Sequence, residues 1–332
     1  MSNLDQRPDE VTCEKGGGPG RDELLEPRFV PLGGPRAMTV RRTLPQKRRS
    51  LIGAWCFLDH YGPDPVGEPG GMSVPRHPHT GLQTVSWLFT GAIEHRDSAG
   101  FHAIVRPGEL NLMTAGRGIS HSEFSTPETT VLHGAQLWVA LPDHARSIAP
   151  GFEHYRPEPV SGPGSEVRVF LGAVGVDTGV ASSPVIAHTP LIGAEILLEP
   201  GAGVDIAVES THEHGVLLDS GSLAVNGTDS PVDHLLYVAP GHRVLRLRAG
   251  GSAVRALLIG GEPLGEKILM WWNFVGRTHE EVAAYRSQWQ AEIGAEAPAD
   301  PGLAPRFGDF PAGTAAPLPA PVLPGVRLRP RD

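Results

Sequence analysis

Hydrophobic and polar positions alternate in short segments along most of the chain, and glycine or proline separates these segments. Their length and their content of β-branched and aromatic residues are typical of strands. Clear examples in a first set are LQTVSWLF (82–89), AQLWVAL (135–141) and VRVFLGAV (167–174). A second set runs from EILLEPG (195–201) to AVRALLIGG (253–261). Regular short strands with turn residues between them indicate a sandwich or a barrel, and their recurrence predicts two β-rich domains in tandem.

One helix is specified near the end of the chain, in THEEVAAYRSQWQAEIG (278–294). Thr278 and Glu281 have the spacing of a capping box, and Gly294 suits the position that follows the last helical turn. Four apolar residues between them fall on one stripe at helical spacing. They are Val282, Tyr285, Trp289 and Ile293. The sequence therefore predicts an all-β fold of two tandem barrels with a short C-terminal helix.

The composition changes towards both ends of the chain. Residues 1–28 are polar, charged and rich in glycine, which predicts a disordered N-terminal tail. Residues 294–332 are rich in proline and alanine, and we expect an extended segment there. Between these ends we predict an N-terminal domain over residues 29–158 and a C-terminal domain, with its terminal helix, over residues 159–293.

The formal net charge of −9 argues against direct binding of nucleic acid, which usually requires a basic face. The dense basic run Lys47–Arg49 is interpreted as a solvated loop. Cys13 and Cys56 are too few for a disulfide framework and indicate a reducing compartment. We find neither an apolar run long enough to span a membrane nor the apolar core of a secretory signal. We therefore expect a cytoplasmic protein with no membrane partner.

Two pairs of side chains that commonly bind metals occupy alternate positions of predicted strands. His77 and His79 flank a proline, and His121 and Glu123 flank a serine. Residues i and i+2 of a strand project from the same face. If the two strands were neighbours, three imidazoles and one carboxylate would meet in one pocket. Such a set suits a borderline transition metal, namely Fe, Mn, Ni, Cu or Zn.

The spacing leaves other sets open. His95 and Asp97 stand in the same i, i+2 relationship, and a mixed site that uses His95 or His133 is an alternative. In the second set of strands, His212 and His214 predict either a second metal site or a polar turn before a strand. Further histidines occur near the first pairs, at His102, His133, His144 and His154. Spacing alone also leaves open that these residues are structural histidines.

The motifs of the first set of strands resemble those of the pirin family within the cupin superfamily. In order along the chain they are H-P-H-x-G (77–81), H-x-D-S-x-G (95–100), M-x-A-G-x-G-I-x-H-S-E (113–123) and Q-L-W-V-x-L-P (136–142). The second set also resembles pirins, through SPVIAHTPL (183–191), GGEPLGEKI (260–268) and the terminal helix. The resemblance covers roughly residues 38–293.

The resemblance implies a bicupin, two tandem jelly-roll-type barrels with a metal in the N-terminal barrel only. The ligands of the family fall on His77, His79, His121 and Glu123. Fe(II) is the expected ion, with Mn, Ni, Cu and Zn as alternatives, and His95 becomes a neighbouring residue. The superfamily commonly has a glutamate four residues after the second histidine. Because this position is Gln83 here, we expect Gln83 beside the metal site and not on the ion.

Two functions of different class are implied by the resemblance. Some pirins resemble quercetin 2,3-dioxygenases in activity, which implies a small aromatic chelating substrate, O2, and Glu123 as both ligand and general base. Other pirins are regulators that bind a protein partner, and the same four ligands suit that role. A metal that only stabilises the barrel is a third interpretation. In each case we expect a monomer.

Overall fold

The computed structural model describes residues 21–32, 38–66, 71–298, 300, 302–311 and 313–329. In this part of the chain the strands form two antiparallel sandwiches. The strands up to residue 155 are β1 (Glu23–Leu25), β2 (Arg28–Leu32), β3 (Met38–Leu44), β4 (Trp55–Pro65), β5 (Ser73–His79), β6 (Leu82–Thr90), β7 (Ile93–Asp97), β8 (His102–Val105), β9 (Leu110–Thr114), β10 (Ile119–Ser125), β11 (Val131–Ala140) and β12 (Gly151–Tyr155).

The second half of the chain contains further strands and the helix. The strands are β13 (Val160–Gly162), β14 (Ser165–Leu171), β15 (Ala173–Val176), β16 (Gly179–Ser182), β17 (Leu191–Leu198), β18 (Gly203–Ala207), β19 (Glu213–Ser220), β20 (Leu223–Val225), β21 (Thr228–Ser230), β22 (Leu235–Val238), β23 (Val244–Ala249), β24 (Val254–Gly261), β25 (Leu269–Trp271) and β26 (Phe274–Gly276). They are followed by α1 (His279–Glu292).

Each domain is a large sheet packed on a smaller one. In the N-terminal domain, the sheet β12-β9-β6-β11-β4-β3-β2 faces the sheet β5-β10-β7-β8. In the C-terminal domain, the sheet β1-β22-β19-β24-β17-β14-β13 faces the sheet β16-β15-β18-β23-β20-β21. Apolar side chains of alternate strand residues fill both interiors. The prediction of an all-β fold with two tandem cupin barrels and a short helix is confirmed.

The two large sheets pack against each other through an apolar interface. One buried cluster combines side chains of both domains, among them Trp55, Trp87, Leu137, Phe170, Leu217 and Leu257. Trp55 Nε1 donates to the carbonyl oxygens of Ile192 and Gly260, each at 3.1 Å. The Trp87 and Phe170 rings lie 4.6 Å apart. The domains are therefore joined by a shared hydrophobic core.

The N-terminal strand crosses to the other domain. β1 pairs with β22 of the C-terminal sheet, and Leu25 is buried in the shared core. Residues 23–28 lie inside the tail that the sequence predicts to be disordered, so that prediction is wrong for them: burial of Leu25 and pairing with β22 order this segment. Residues 1–20, with Cys13, lie outside the described residues. β12 and β13 fall on either side of the predicted domain boundary at residue 158.

The predicted helix forms, and it packs near the N-terminal domain. The Thr278 side chain caps it by accepting from the backbone N–H of Glu281, and Gly294 follows it with φ +72°. The Glu281 carboxylate accepts from the backbone N–H of Arg277, so the return bond of the capping box shifts by one residue. Val282 and Trp289 are buried. The Arg76 guanidinium of β5 lies 5.2 Å from the Trp289 ring.

The β25–β26 hairpin brings the chain back to the H-P-H-x-G motif. Phe274 bridges Thr80, and the backbone N–H of Val275 donates to the Thr80 carbonyl at 3.0 Å. Gly81 has φ +67°, and a Cβ there would lie 2.3 Å from the Val275 carbonyl oxygen. Glycine is therefore required by both its conformation and the close approach of the hairpin.

The structure corrects the interpretation of one basic segment. The run Lys47–Arg49 is not simply a solvated loop, because Arg49 is buried and its guanidinium lies 3.3 Å from the centre of the Tyr237 ring. A buried arginine over an aromatic face makes a cation–π contact. Within the described residues, no helix combines the length and the apolar character that a membrane crossing needs.

Candidate metal centre

The two predicted ligand pairs lie on neighbouring antiparallel strands. His77 and His79 end β5, and His121 and Glu123 lie on β10, with His121 directly opposite His77. β5 is the edge strand of its sheet, where the missing N–H of Pro78 is tolerated. An irregularity between His121 and Glu123 shifts the register and places Glu123 opposite Val74. Beyond His121 the pairing of the two strands is therefore displaced by one residue.

The three histidines form a compact buried group. Their ring centroids are 4.3 Å apart for His77 and His121, 5.0 Å for His79 and His121, and 5.1 Å for His77 and His79. One nitrogen from each ring lies within 4.8 Å of the other two. The Trp138 ring contacts His79 edge-on at 5.1 Å and stacks on Phe57. An aromatic wall thus encloses one side of the group.

Each of the three histidines has at least one buried ring nitrogen without a hydrogen bond among the described residues, and in His79 both nitrogens lack one. Nε2 of His77, His79 and His121 is buried in each case and has no partner among the described residues. An unpaired buried polar atom costs about 1–3 kcal/mol, which a bound cation would offset. His77 Nδ1–H donates to the Pro75 carbonyl at 2.8 Å, so its Nε2 presents a lone pair. The orphaned nitrogens therefore fit a transition-metal ion.

Burial keeps these imidazoles neutral. It lowers the pKa of His77 to about 3. Burial also holds the pKa of His79 and of His121 well below the usual value for histidine. Neutral imidazole is the form that binds a metal ion. The three side chains are thus in their ligand form without having to lose a proton near neutral pH.

Glu123 belongs to an adjoining group. Its carboxylate lies within 4.8 Å of nitrogens of His95 and His121, and it does not lie that close to all three histidines of the first group. The one hydroxyl hydrogen of Ser86 has two acceptors within reach, Glu123 Oε1 at 3.3 Å and Gln136 Oε1 at 2.9 Å. Coordination by the full set of four predicted ligands stays a prediction.

Other candidate residues make contacts outside the group of three histidines. Gln83 is buried on β6, and its side-chain amide donates to Thr114 Oγ1 at 2.9 Å. His102 and His154 are exposed, the former with Nε2 2.7 Å from a carboxylate oxygen of Glu94. His214 is not in a polar turn but buried within β19. In the described residues, no group of three or more metal-binding side chains includes His212 or His214.

Sequence reasoning missed a second buried polar group, at the domain interface. Asp219 Oδ1 accepts from Nε2 of His60 at 2.8 Å and from Nε2 of His133 at 2.6 Å. Burial by itself would raise the pKa of Asp219, but these hydrogen bonds hold it well below its ordinary value. No spacing in the sequence announces the group, because Asp219 is 86 residues from His133 and 159 from His60. Its contacts join the two domains.

Two tandem β-sandwiches, the first with a buried histidine group, define a two-domain cupin. The profile of the family described as "Pirin" matches residues 37–139, and that described as "Pirin C-terminal cupin domain" matches residues 193–293. The chain belongs to the pirin family, as its motifs predict.

Similar proteins cover most of the chain. A Pseudomonas aeruginosa protein named "Putative quercetin 2,3-dioxygenase PA1205" is 38% identical over 294 residues, which is 87% of this chain and 91% of that protein. A Caulobacter vibrioides "Pirin-like protein" is 35% identical over 262 residues, 76% of this chain and 88% of its own length. The crystal structure of a quercetin 2,3-dioxygenase from Acinetobacter baumannii superposes with a TM-score of 0.83 at 37% identity, over 94% of this chain and 98% of that one.

Proposed function

We propose that the chain is a metal-dependent dioxygenase of the quercetin, or flavonol, type. Its site would hold Fe(II) through His77, His79, His121 and Glu123. The observation that carries the proposal is the convergence of three buried imidazoles whose Nε2 atoms have no partner among the described residues. The names of the Pseudomonas and Acinetobacter relatives support the choice of reaction and of a small aromatic chelating substrate.

Each part of the site has a task in this reaction. When bound, the ion would supply Lewis acidity towards a chelating hydroxyl and one-electron chemistry towards O2. His77, His79 and His121 fix the geometry, since the sheet holds both strands. An Oε atom of Glu123 would take the proton of the substrate hydroxyl, as a general base. Ser86 Oγ lies 3.3 Å from Oε1 of that carboxylate. The stacked pair Phe57 and Trp138, with ring centroids 4.0 Å apart, excludes water on the His79 side.

A second function is favoured by the complete enclosure of the histidines. The side chains of His77, His79 and His121 have no exposed surface. An ion that substrate cannot reach would suit a non-catalytic, iron-binding regulator acting through a protein partner. The same ligands serve both functions, so only turnover separates them.

The test is to load the purified protein with Fe(II) without oxygen, measure iron per chain, and follow quercetin absorbance after adding air. We expect the flavonol band to disappear with the wild type and with His102→Gln, whose side chain is exposed. We expect it to persist with His121→Ala. One iron per chain without loss of the band would reject the dioxygenase and leave the regulator.

A further inference from the structure

We infer that Asp97 and His95 form a hydrogen-bonded relay that holds His121 in the tautomer able to bind metal. This inference rests on the proposed metal centre. The relay consists of the contacts Asp97 Oδ2 to His95 Nε2 and His95 Nδ1 to His121 Nδ1. His95 and Asp97 are thus positioning residues that act through a ligand.

The relay starts at a carboxylate whose orientation is fixed. Asp97 Oδ1 accepts from the backbone N–H groups of Ala99, at 2.9 Å, and of Phe101, at 3.1 Å. The other oxygen, Oδ2, lies 3.2 Å from His95 Nε2. An ionised carboxylate is only an acceptor. His95 Nε2 must therefore carry a hydrogen and donate it to Asp97.

The next contact transmits this assignment to the ligand. His95 Nδ1 and His121 Nδ1 are 3.4 Å apart, at the long end of the hydrogen-bond range. With the proton of His95 on Nε2, its Nδ1 accepts, and His121 Nδ1–H donates. The lone pair of His121 is then on Nε2, the buried nitrogen without a partner among the described residues. The reverse assignment would point an N–H at the ion.

The pairing of two neighbouring strands brings the residues of the relay together. β7 pairs with β10 so that Asp97 lies opposite His121 and His95 opposite Glu123. The His95 ring is buried and packs on Phe152, with centroids 4.8 Å apart and planes 33° from parallel. Phe152 in turn stacks on Phe101 at 5.5 Å. These contacts restrict rotation of the His95 imidazole.

A second ligand shows the same kind of support. His77 Nδ1–H donates to the Pro75 carbonyl, which leaves Nε2 of His77 for the ion. For His121 the acceptor is an imidazole nitrogen whose ring donates, through its other nitrogen, to a carboxylate. Groups that orient a metal-binding histidine in this way are typically worth 10–100-fold in metal affinity.

One alternative uses the same residues differently. Nitrogens of His95 and His121 and the Glu123 carboxylate also lie within 4.8 Å of one another, so His95 could itself be a ligand. The two roles predict different relative losses of metal affinity when His95 or Asp97 is replaced. If His95 is a ligand, its removal is the more damaging change. If it is part of a relay, Asp97→Asn is at least as damaging. The amide oxygen introduced by that change would keep the two backbone donors, and the new NH2 group would donate to His95 Nε2, inverting both tautomers.

The experiment measures Co(II) affinity of the full chain by competition with a chelator, together with the visible absorption of the Co(II) protein. We expect Asp97→Asn to raise the dissociation constant by about 10–100-fold and to alter the absorption. We expect His95→Ala to have an effect no larger, because water can accept from His121. His102→Gln, on the adjacent strand β8, serves as a control and should match the wild type.

A second pair of variants decides the matter if Asp97→Asn does not fold. The amide oxygen of His95→Gln can accept from His121 Nδ1–H and should retain most of the affinity, whereas His95→Leu should lose it. Equal loss in both variants, or loss in His95→Ala that Asp97→Asn does not share, would make His95 a ligand and overturn the relay. Wild-type affinity in every variant would also overturn it.

A wild type that binds no Co(II) would overturn both the centre and the relay. The relay would be upheld if the wild type binds Co(II) tightly and the variants lose affinity in the expected order. If the iron protein then fails to turn over quercetin, only the proposed reaction is rejected.

Discussion

His121 and His77 lie directly opposite each other in the antiparallel pair β10–β5, with ring centroids 4.3 Å apart. A directly opposed pair brings two side chains of one sheet face together without any long loop. His79, two residues further along β5, adds the third ring to the same face. The centre is thus a property of the register of two strands, and its rigidity comes from the sheet.

Metal binding should stabilise the fold, because the ion binds only the assembled strands. At a free ion concentration 100 times the dissociation constant the gain is about 2.7 kcal/mol, or roughly 5 °C in Tm. Thermal unfolding with and without Co(II) measures it. His77→Ala should abolish the shift, and His102→Gln should keep it. A wild type whose Tm is the same with and without Co(II) would contradict the proposed centre.

Glu123→Gln should test the Glu123 carboxylate as the general base. If Glu123 is the general base, its replacement lowers kcat for quercetin by about 10²–10⁴-fold, measured at saturating Fe(II) with the iron content of each sample checked. Glu94→Gln, a change in a partly exposed carboxylate on β7, is the matched control and should retain activity. Full activity in Glu123→Gln would remove Glu123 from the mechanism.

Asp219→Asn should weaken the contact between the domains. The change removes the charge that accepts from both His60 and His133 at the buried interface. Hydrogen bonds to a charged group contribute about 1.5–3 kcal/mol, so we expect a loss of about 2–3 kcal/mol in the free energy of unfolding, measured with urea. Asp205→Asn, at a partly exposed ion pair with Arg248, should cost about 0.5 kcal/mol or less. Equal losses in the two variants would show that the buried hydrogen bonds of Asp219 contribute no more to stability than the partly exposed ion pair of Asp205.

His214→Leu should make the protein more resistant to acid. Burial lowers the pKa of His214 to about 4. Between the usual pKa of about 6.5 and this value, the unfolded chain binds a proton that the folded chain does not, so stability falls as the pH falls. The slope is at most about 1.4 kcal/mol per pH unit. Urea unfolding at several pH values between 7 and 4 should show that the free energy of unfolding of the variant rises relative to that of the wild type as the pH falls. Parallel curves would mean that His214 titrates normally in the folded protein.

The sequence predicts the local part of the site well. The i, i+2 spacing of His77 and His79 places both on one strand face, and the motif order implies the neighbouring strand that carries His121. The helix is equally readable, since Thr278 and Gly294 act at its ends through local backbone geometry. In each case the interaction spans only a few residues or repeats with the period of the strand.

The parts that could not be predicted depend on contacts far apart in the chain. Leu25 is ordered by β22, more than two hundred residues later, and a polar tail sequence gives no sign of that pairing. The contacts of Asp219 with His60 and His133 form because the two large sheets pack together through a shared apolar cluster. The position of Glu123 depends on the register between β10 and β5, two strands that are far apart in the chain.

The most direct measurement of the central claim is the metal content per chain after anaerobic loading with Fe(II) and removal of loosely bound ions. It should be made for the wild type, for His77→Ala, His79→Ala and His121→Ala, and for His102→Gln. The account predicts one ion per chain for the wild type and for His102→Gln, and close to none for the other three variants. A wild type without iron, or one ion retained in all three variants, would contradict it.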